Sequence, residues 1–388
     1  MIIAFWLSLF IVFYAFAGYG LVLFILVKIK RAISGKPVIP DAVNLPTCTL
    51  VVAAYNEERF IAEKIQNSLA LNYPEGKLKL LFVTDGSTDN TAAIVSTFAQ
   101  VKLMHSDARS GKIAAVHRAM TEVDSEVVVF TDANTFLNTD AIVNICRHYA
   151  DEKVGAVAGE KRVHIDETAD ATAGEGFYWK YESKLKTWDS ELYSVVGAAG
   201  ELFSIRRELY VPVQPDTILD DFMISLLVTI DGYRVVYEPD AYATETASQN
   251  VKEELKRKIR IAAGGIQSIL RLKSLLNPFR NFVLSFQYIS HRVLRWTVVP
   301  FLMILALLLN ILIVATCAGC CFYWFMLICQ LGFYGMSLLG WYFESREMKV
   351  KIFFIPYYFC MMNYAVIRGI FRYSAGKQSA IWEKAKRQ

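Results

Sequence analysis

The sequence places acids where its apolar runs end. Asn56-Glu57 follows the run Cys48–Ala54, Asp85 follows Leu78–Val83, and Asp132 follows Val127–Thr131, with Asn134 two residues further on. A single acid at such a place is usually a turn former or a helix cap. Three from three strands mean more, because in an open parallel sheet the loops beyond the carboxyl ends converge on one crevice. One carboxylate there can accept from a base N–H and another from ribose hydroxyls. A further oxygen ligand can hold Mg2+ or Mn2+ against phosphates. The set therefore points to a nucleotide whose diphosphate is neutralised by a metal. Other nucleotide sites lack their parts: no G-x-G-x-x-G follows the first strand and no G-x-x-x-x-G-K-[ST] occurs. A phosphoacceptor domain would suit Lys112 near these acids. It needs an acid pair at the first strand's exit, where this chain has Ala54-Tyr55-Asn56.

The elements that must position these groups alternate regularly. Cys48–Ala54, Leu78–Val83, Val101–Met104 and Val127–Thr131 are predicted strands. Between them lie predicted helices over 57–71, 89–99 and 112–123, the first with Ile61, Ile65 and Leu69 at a spacing of four. Asn72-Tyr73-Pro74-Glu75-Gly76 is turn chemistry. Strands apolar on both faces and separated by helices imply an α/β fold with a parallel sheet covered on both sides.

The flanks read differently. Of 388 residues 54% are hydrophobic, and the excess lies at the two ends. Ile2–Val27 is uncharged and long enough to cross a bilayer core of about 30 Å. Ala15-Phe16-Ala17 has the look of a signal-peptide cleavage site. No basic residue precedes the run, however, it continues ten residues past that point, and Lys28, Lys30 and Arg31 follow it. The sequence predicts an anchor whose trailing end is cytoplasmic. Val298–Ala315 and Cys321–Phe343 read as two further spans, with Arg292 and Arg295 before them and Arg346, Lys349 and Lys351 after. Ile352–Ile367 is short, carries Pro356 and Asn363, and reads as a short span or a re-entrant or interfacial segment. The expected division is 1–28 as anchor, 29–290 as a cytoplasmic domain and 291–388 as a C-terminal membrane region. That makes a multi-pass protein of the inner (cytoplasmic) membrane, in contact with membrane lipid. The net charge of +4 reflects these basic collars and gives no sign of nucleic acid. Seven cysteines supply neither a disulfide framework nor a zinc spacing.

Taken in order, the motifs resemble the inverting family 2 glycosyltransferases, and more narrowly their membrane-embedded polysaccharide synthase-like members (poly-N-acetylglucosamine, cellulose and hyaluronan synthase-related). "VVAAYNEE" (51–58) is similar to the family's opening strand and loop, and "VTDGSTDNT" (83–91) to its nucleotide-base loop, with Thr84 in place of a first Asp. "SGKIAAVHRAM" (110–120) resembles the Gly-Lys helix start, and "FTDANT" (130–135) occupies the place of the Asp-x-Asp metal motif. "GAAGELFSIRRELY" (197–210) resembles the acceptor-side glycine loop and "LDDFMIS" (219–225) the motif of the catalytic base. "RKIRIAAGG" (257–265) sits where synthases carry Gln-x-x-Arg-Trp. The likeness covers about residues 48–270 and the flanking spans.

The resemblance implies a GT-A-like, Rossmann-type mixed sheet with helices on both faces, flanked by transmembrane helices. Tyr55, Glu57, Asp85, Lys112, Asp132 and Lys258 would then bind the nucleotide-sugar, a UDP-sugar by expectation. Asp132 and Asn134 would hold Mg2+ or Mn2+, an amide oxygen being a legitimate but uncharged ligand. Asp221 would be the base for an acceptor hydroxyl, with Asp220 beside it and Arg260 on the leaving diphosphate. Gly197 and Gly200 would face a glycan or lipid-linked acceptor. Ile261 stands where the motif has Trp, which puts processive synthesis in doubt. "RVLRW" (292–296) reads as an interfacial anchor, and Tyr178, Trp179 and Trp188 as packing groups or an acceptor platform. Two function classes follow: a membrane glycosyltransferase of polysaccharide biosynthesis, with possible accessory synthase subunits, or a non-catalytic membrane subunit that binds a nucleotide sugar or a partner.

Overall fold

The computed structural model describes residues 1–164, 172–246, 251–316, 321–346, 348 and 350–378. Its centre is an eight-stranded mixed sheet in the order β3-β2-β1-β4-β7-β6-β8-β5. The strands are β1 Cys48–Ala54, β2 Leu78–Asp85, β3 Lys102–Ser106, β4 Val127–Asp132, β5 Phe136–Leu137, β6 Val154–His164, β7 Leu202–Arg206 and β8 Arg234–Thr246. β1 to β4 are mutually parallel, and β7 runs antiparallel to both β4 and β6. Val51 of β1 packs into one core while Leu50 and Val52 pack into the other, so both faces of the strand are buried.

The strands extend a residue or two beyond their apolar runs, so Asp85 and Asp132 are the last residues of β2 and β4 rather than the first of the loops. The helices are shorter than expected: α3 Ile61–Leu69 and α4 Thr91–Ser96 start later, their first residues being spent in loops, and α5 Lys112–Met120 ends sooner. α3 also turns a different face inward. It buries Ile61, Lys64, Ile65 and Ser68 while Leu69 is exposed.

Among the described residues three helices are long and apolar enough to cross a membrane: Ile2–Ser34, Val299–Thr316 and Cys321–Ser345. The first is α1 Ile2–Phe13 and α2 Tyr19–Ser34 joined by a π turn, Tyr14–Gly18; the others are α12 and α13, after α6 Ala141–Cys146, α7 Thr172–Leu192, α8 Asp220–Leu227, α9 Val251–Arg271, α10 Phe282–Tyr288 and α11 Leu294–Trp296. The awkward Ile352–Ile367 segment lies in one helix, α14 Lys351–Ser374, with Pro356 inside it. Gly369 of α14 meets Ala262, Ala263 and the Ile259 carbonyl of α9 so closely that a Cβ would clash. α14 is thus seated on the central domain.

A buried polar lock joins the N-terminal helix to the domain. The π turn frees backbone carbonyls, and two of them find partners: Arg295 Nε donates to Ala15 O at 2.9 Å and Tyr181 Oη to Phe16 O at 2.7 Å. A second π turn, Ile289–Val293, faces the first, with Tyr14 Oη and Ser290 Oγ 2.8 Å apart. Between them the His291 ring meets Asp189 at 2.6 Å and Glu182 at 3.1 Å. Tyr19 donates to Asp189, and Arg295 pairs with Glu182. The basic collar joins in, since Arg31 binds Glu191 through both Nε and Nη2 and Lys30 reaches the Glu191 and Leu192 carbonyls. The sequence reading of Arg292, Arg295 and Trp296 as an interfacial anchor is therefore corrected. Arg295 is a buried strut, because Glu182 and a freed carbonyl satisfy it better than headgroups would. Trp188 packs on Phe24 of α2 with ring centroids 5.4 Å apart. The side chains of Tyr178 and Trp179, and Lys349, lie outside the described residues.

Candidate functional site

Two adjoining pockets open beyond the carboxyl ends of β1, β2 and β4. The smaller, about 70 Å3, is lined by Tyr55, Glu57, Asp85, Lys112, Asp132 and Asn134, together with Arg109 and Ala115. The larger, about 320 Å3, is lined by Lys112, Asp132, Gly197, Gly200, Asp220, Asp221, Lys258 and Arg260. Lys112 and Asp132 belong to both and form the shared wall. The residues assigned from the sequence to donor, metal, acceptor side and base therefore line one or other of these two pockets.

The loops are bound to one another before any ligand is considered. Asn56 adopts a left-handed φ of 53° and its Oδ1 accepts from Thr88 N at 2.8 Å, tying the first loop to the second. The Asp85 carboxylate accepts from Ser110 N at 2.8 Å, Gly111 N at 2.7 Å and Arg118 at 3.3 Å. It holds the start of α5 and so aims Lys112. Thr84, the departure from a double Asp, is buried with its hydroxyl 2.7 Å from His105 Nδ1, away from the crevice. Arg109 covers the Tyr55 ring, with the guanidinium carbon 3.9 Å from its centroid.

Lys112 Nζ donates to Asp132 Oδ1 at 2.8 Å and lies 3.9 Å from Asp220 Oδ2. Burial pulls the Lys112 pKa down, but Asp132, Asp220 and Asp221 outweigh it and raise the value. Asp220 and Asp221 begin α8, whose N-cap is Leu219, and the Asp221 carboxylate accepts from the Phe222 backbone N–H. Burial first, then the Asp220 charge, push the Asp221 carboxyl up to about 7 against the lowering pull of Lys112. Gly200 makes room for this pair: a Cβ there would lie 3.2 Å from Asp221 Oδ2 and 3.4 Å from Lys112 Nζ. Gly197 is required twice over, by a φ of 96° and by the Phe222 ring against it.

On the far wall Arg260 Nη2 reaches Ile218 O at 3.5 Å, and burial lowers its pKa against the opposing pull of Asp220 and Asp221. Lys258 pairs with Glu254 at 3.4 Å, and Arg257 with the same carboxylate at 3.0 Å. Lys161, Lys186, Arg292 and Trp296 complete this wall, with Met362 and Val366 of α14. Trp296 lies against Gly265 and packs on Phe222 at 5.3 Å between centroids. These were not expected from the sequence. The signal for Arg292 and Trp296 was the "RVLRW" string itself, read as an interfacial anchor; the chain folds back to bring it there.

Among the described residues no cluster of three or more His, Cys, Asp or Glu side chains is arranged to hold a metal ion. Asp132 and Asn134 line the same pocket and offer one carboxylate and one amide oxygen. That set fits a hard divalent cation whose remaining ligands are phosphate oxygens and water.

A parallel half-sheet with acids at its strand ends, continued by a mixed set of strands under a second pocket, defines a GT-A-like glycosyltransferase fold. A mannosyltransferase from Pyrobaculum calidifontis, in complex with GDP-Man and Mn2+, has that fold in common with this chain: the TM-score is 0.71, over 97% of this chain and 100% of that one, at 23% identity. Residues 49–211 match Glycosyl transferase family 2, so the chain carries a domain of that family. The poly-beta-1,6-N-acetyl-D-glucosamine synthase of Staphylococcus aureus (strain COL) is 26% identical over 254 residues, 63% of this chain and 60% of that protein. The synthase of the same name from Staphylococcus epidermidis is 24% identical over 276 residues, 68% of this chain and 66% of that protein. The chain spans about 60% of the length of the first of these relatives.

Proposed function

We propose that the protein is a membrane-bound, inverting glycosyltransferase of polysaccharide biosynthesis. It moves a sugar from a nucleoside-diphosphate sugar to a glycan or lipid-linked acceptor. The observation that carries this reading is the Asp221 carboxyl, raised to about 7 on the wall of the larger pocket beside the donor-side pair Lys112–Asp132. A group with a pKa near the working pH can take a proton from a hydroxyl in the transition state. The donor occupies the smaller pocket, with its base toward Tyr55 and Asp85 and its diphosphate toward Lys112 and Asp132. Asp132 and Asn134 would hold Mg2+ or Mn2+, which when bound supplies positive charge to the diphosphate. An acceptor hydroxyl in the larger pocket loses its proton to Asp221 as its oxygen attacks the anomeric carbon in line. The bond to the diphosphate breaks, and Arg260 and Lys258 take up the departing charge.

Residues 29–290 form the catalytic unit on the cytoplasmic side, where nucleotide sugars are made, with the spans fixing it to the inner membrane. The relatives differ in the sugar they are named for, so UDP- and GDP-sugars are both to be tried. The test is release of nucleoside diphosphate from a panel of donors by the purified full chain, with and without Mn2+. Metal-dependent release with one donor supports the reading, and no release with any donor overturns it. The second reading, a non-catalytic subunit that binds a nucleotide sugar or a partner, is favoured by Asn134 and Ile261 standing where the resemblance expects Asp and Trp. Donor binding without turnover would select it.

A further inference from the structure

Lys64 is fully buried on α3, and among the described residues its Nζ hydrogen-bonds to two neutral groups. Nζ donates to the Thr135 carbonyl at 2.6 Å and to Thr131 Oγ1 at 3.2 Å. Among the described residues no carboxylate forms an ion pair with it, and burial pulls its pKa down to about 7 against the raising pull of the Asp132 charge. Lysine is almost never fully buried unless paired, and taking an ammonium out of water costs several kcal/mol even after relaxation. Fold stability gives no reason to keep it, since a methionine would fill the same space.

The groups it touches show what it holds. Thr131 and Thr135 bracket the turn that carries Asp132 and Asn134, and their hydroxyls are 3.0 Å apart. Thr135 Oγ1 donates to Asp132 O at 2.9 Å, and Thr131 Oγ1 to the Glu201 carbonyl at 2.8 Å. Glu201 follows Gly200, at the larger pocket, and its carboxylate binds Lys161 at 2.5 Å. Through Thr131 and Thr135 the buried Lys64 Nζ therefore fastens the donor-side turn to the acceptor-side loop, out of reach of either ligand.

We propose that Lys64 is a positioning residue of the donor site, setting the Asp132–Asn134 turn for a metal-bound nucleoside diphosphate. The inference rests on the donor-site reading above. It gives Lys64 no contact with substrate and no proton to move. A neutral side chain of the same length removes the donor to the Thr135 carbonyl and frees the turn to relax. Outer partners of metal ligands are typically worth about 10–100-fold in affinity.

The test uses the full chain in detergent, with UDP and GDP as probes in the presence of Mn2+, titrated calorimetrically beside a thermal melt. Lys64→Met is expected to weaken binding of whichever nucleotide the parent takes by about 10–100-fold, with the melting temperature unchanged or raised. Thr131→Val, which removes the hydroxyl hub but keeps the strand, is expected to weaken it in the same direction; it carries the test if Lys64→Met does not fold. A lowered melting temperature with unchanged affinity would show a merely structural lysine and overturn the proposal. Asp132→Ala separates the two ideas. Loss of binding there with none in Lys64→Met overturns the Lys64 inference alone, whereas no loss in Asp132→Ala overturns the donor-site reading beneath it.

Discussion

The Lys112 ammonium and the Asp132 carboxylate are bonded at 2.8 Å on the one wall that both pockets share. The pair lies between the place proposed for the diphosphate and the place proposed for the acceptor. With a nucleoside diphosphate and its metal bound, Asp132 would hold the metal and Lys112 the phosphates in place of each other. Lys112→Met should then weaken both nucleotide binding and sugar transfer. Titration of the variant with UDP and GDP, beside its turnover, checks this; a normal nucleotide affinity would place the diphosphate elsewhere.

Asn134 makes a specific claim about metal. One carboxylate and one amide give a weaker site than two carboxylates, because the amide carries no charge. Asn134→Asp should keep or raise activity and reach half-maximal rate at lower Mn2+. A Mn2+ titration of turnover for parent and variant shows the direction. A variant that needs more Mn2+ than the parent would mean that Asn134 turns the loop and does not bind the ion.

The lock between the membrane helix and the domain predicts a stability effect. Arg295→Met leaves the buried Glu182 carboxylate without its strongest partner and strips the Ala15 carbonyl of its donor. Removing one member of a buried ion pair costs about 3–5 kcal/mol. Tyr19→Phe, which loses one hydrogen bond to Asp189, should cost less, about 1.5–3 kcal/mol. Melting of the two variants in the same detergent should rank them in that order.

The parallel half of the sheet was legible because its strands are uninterrupted apolar runs and its helices have turn chemistry at their ends. Asp85 and Asp132 were legible because acids that end parallel strands lie where the loops converge, and Lys112 because its Gly-Lys helix start resembles the family's. The mixed half, with β6 to β8, was not predicted strand by strand, since its pairing depends on partners far away in sequence. Lys64 was hidden by pattern: on a helix read from Ile61, Ile65 and Leu69 it counts as one more surface lysine. Its spacing of three from Ile61 was the only hint that it faces inward. Arg295 and Trp296 were misread for a related reason, because a basic-aromatic string ahead of a span looks like a headgroup collar. Only the chain's return to α9 and the opposed π turns decide otherwise.

The carboxyl of Asp221 gives the reaction a pH signature. Held up to about 7, it is protonated below that pH and cannot accept the acceptor's proton. The rate at limiting substrate should therefore fall as pH drops through 7 and level off above it, since that rate reports the free enzyme's base. The neighbours move this limb in opposite directions. Asp220→Asn removes the like charge that helps to raise Asp221, so the limb should shift to lower pH. Lys112→Met removes the positive charge that lowers it, so the limb should shift to higher pH in whatever activity survives. Asp221→Asn should cost about 10²–10⁴-fold in transfer while nucleotide affinity scarcely changes, because the nucleotide is placed against the other pocket. Transfer rates from pH 5 to 9 for the parent and the three variants, with nucleotide titrations at one pH, check all of this together. An acid limb that stays where it is in both neighbour variants would remove Asp221 from the role of base.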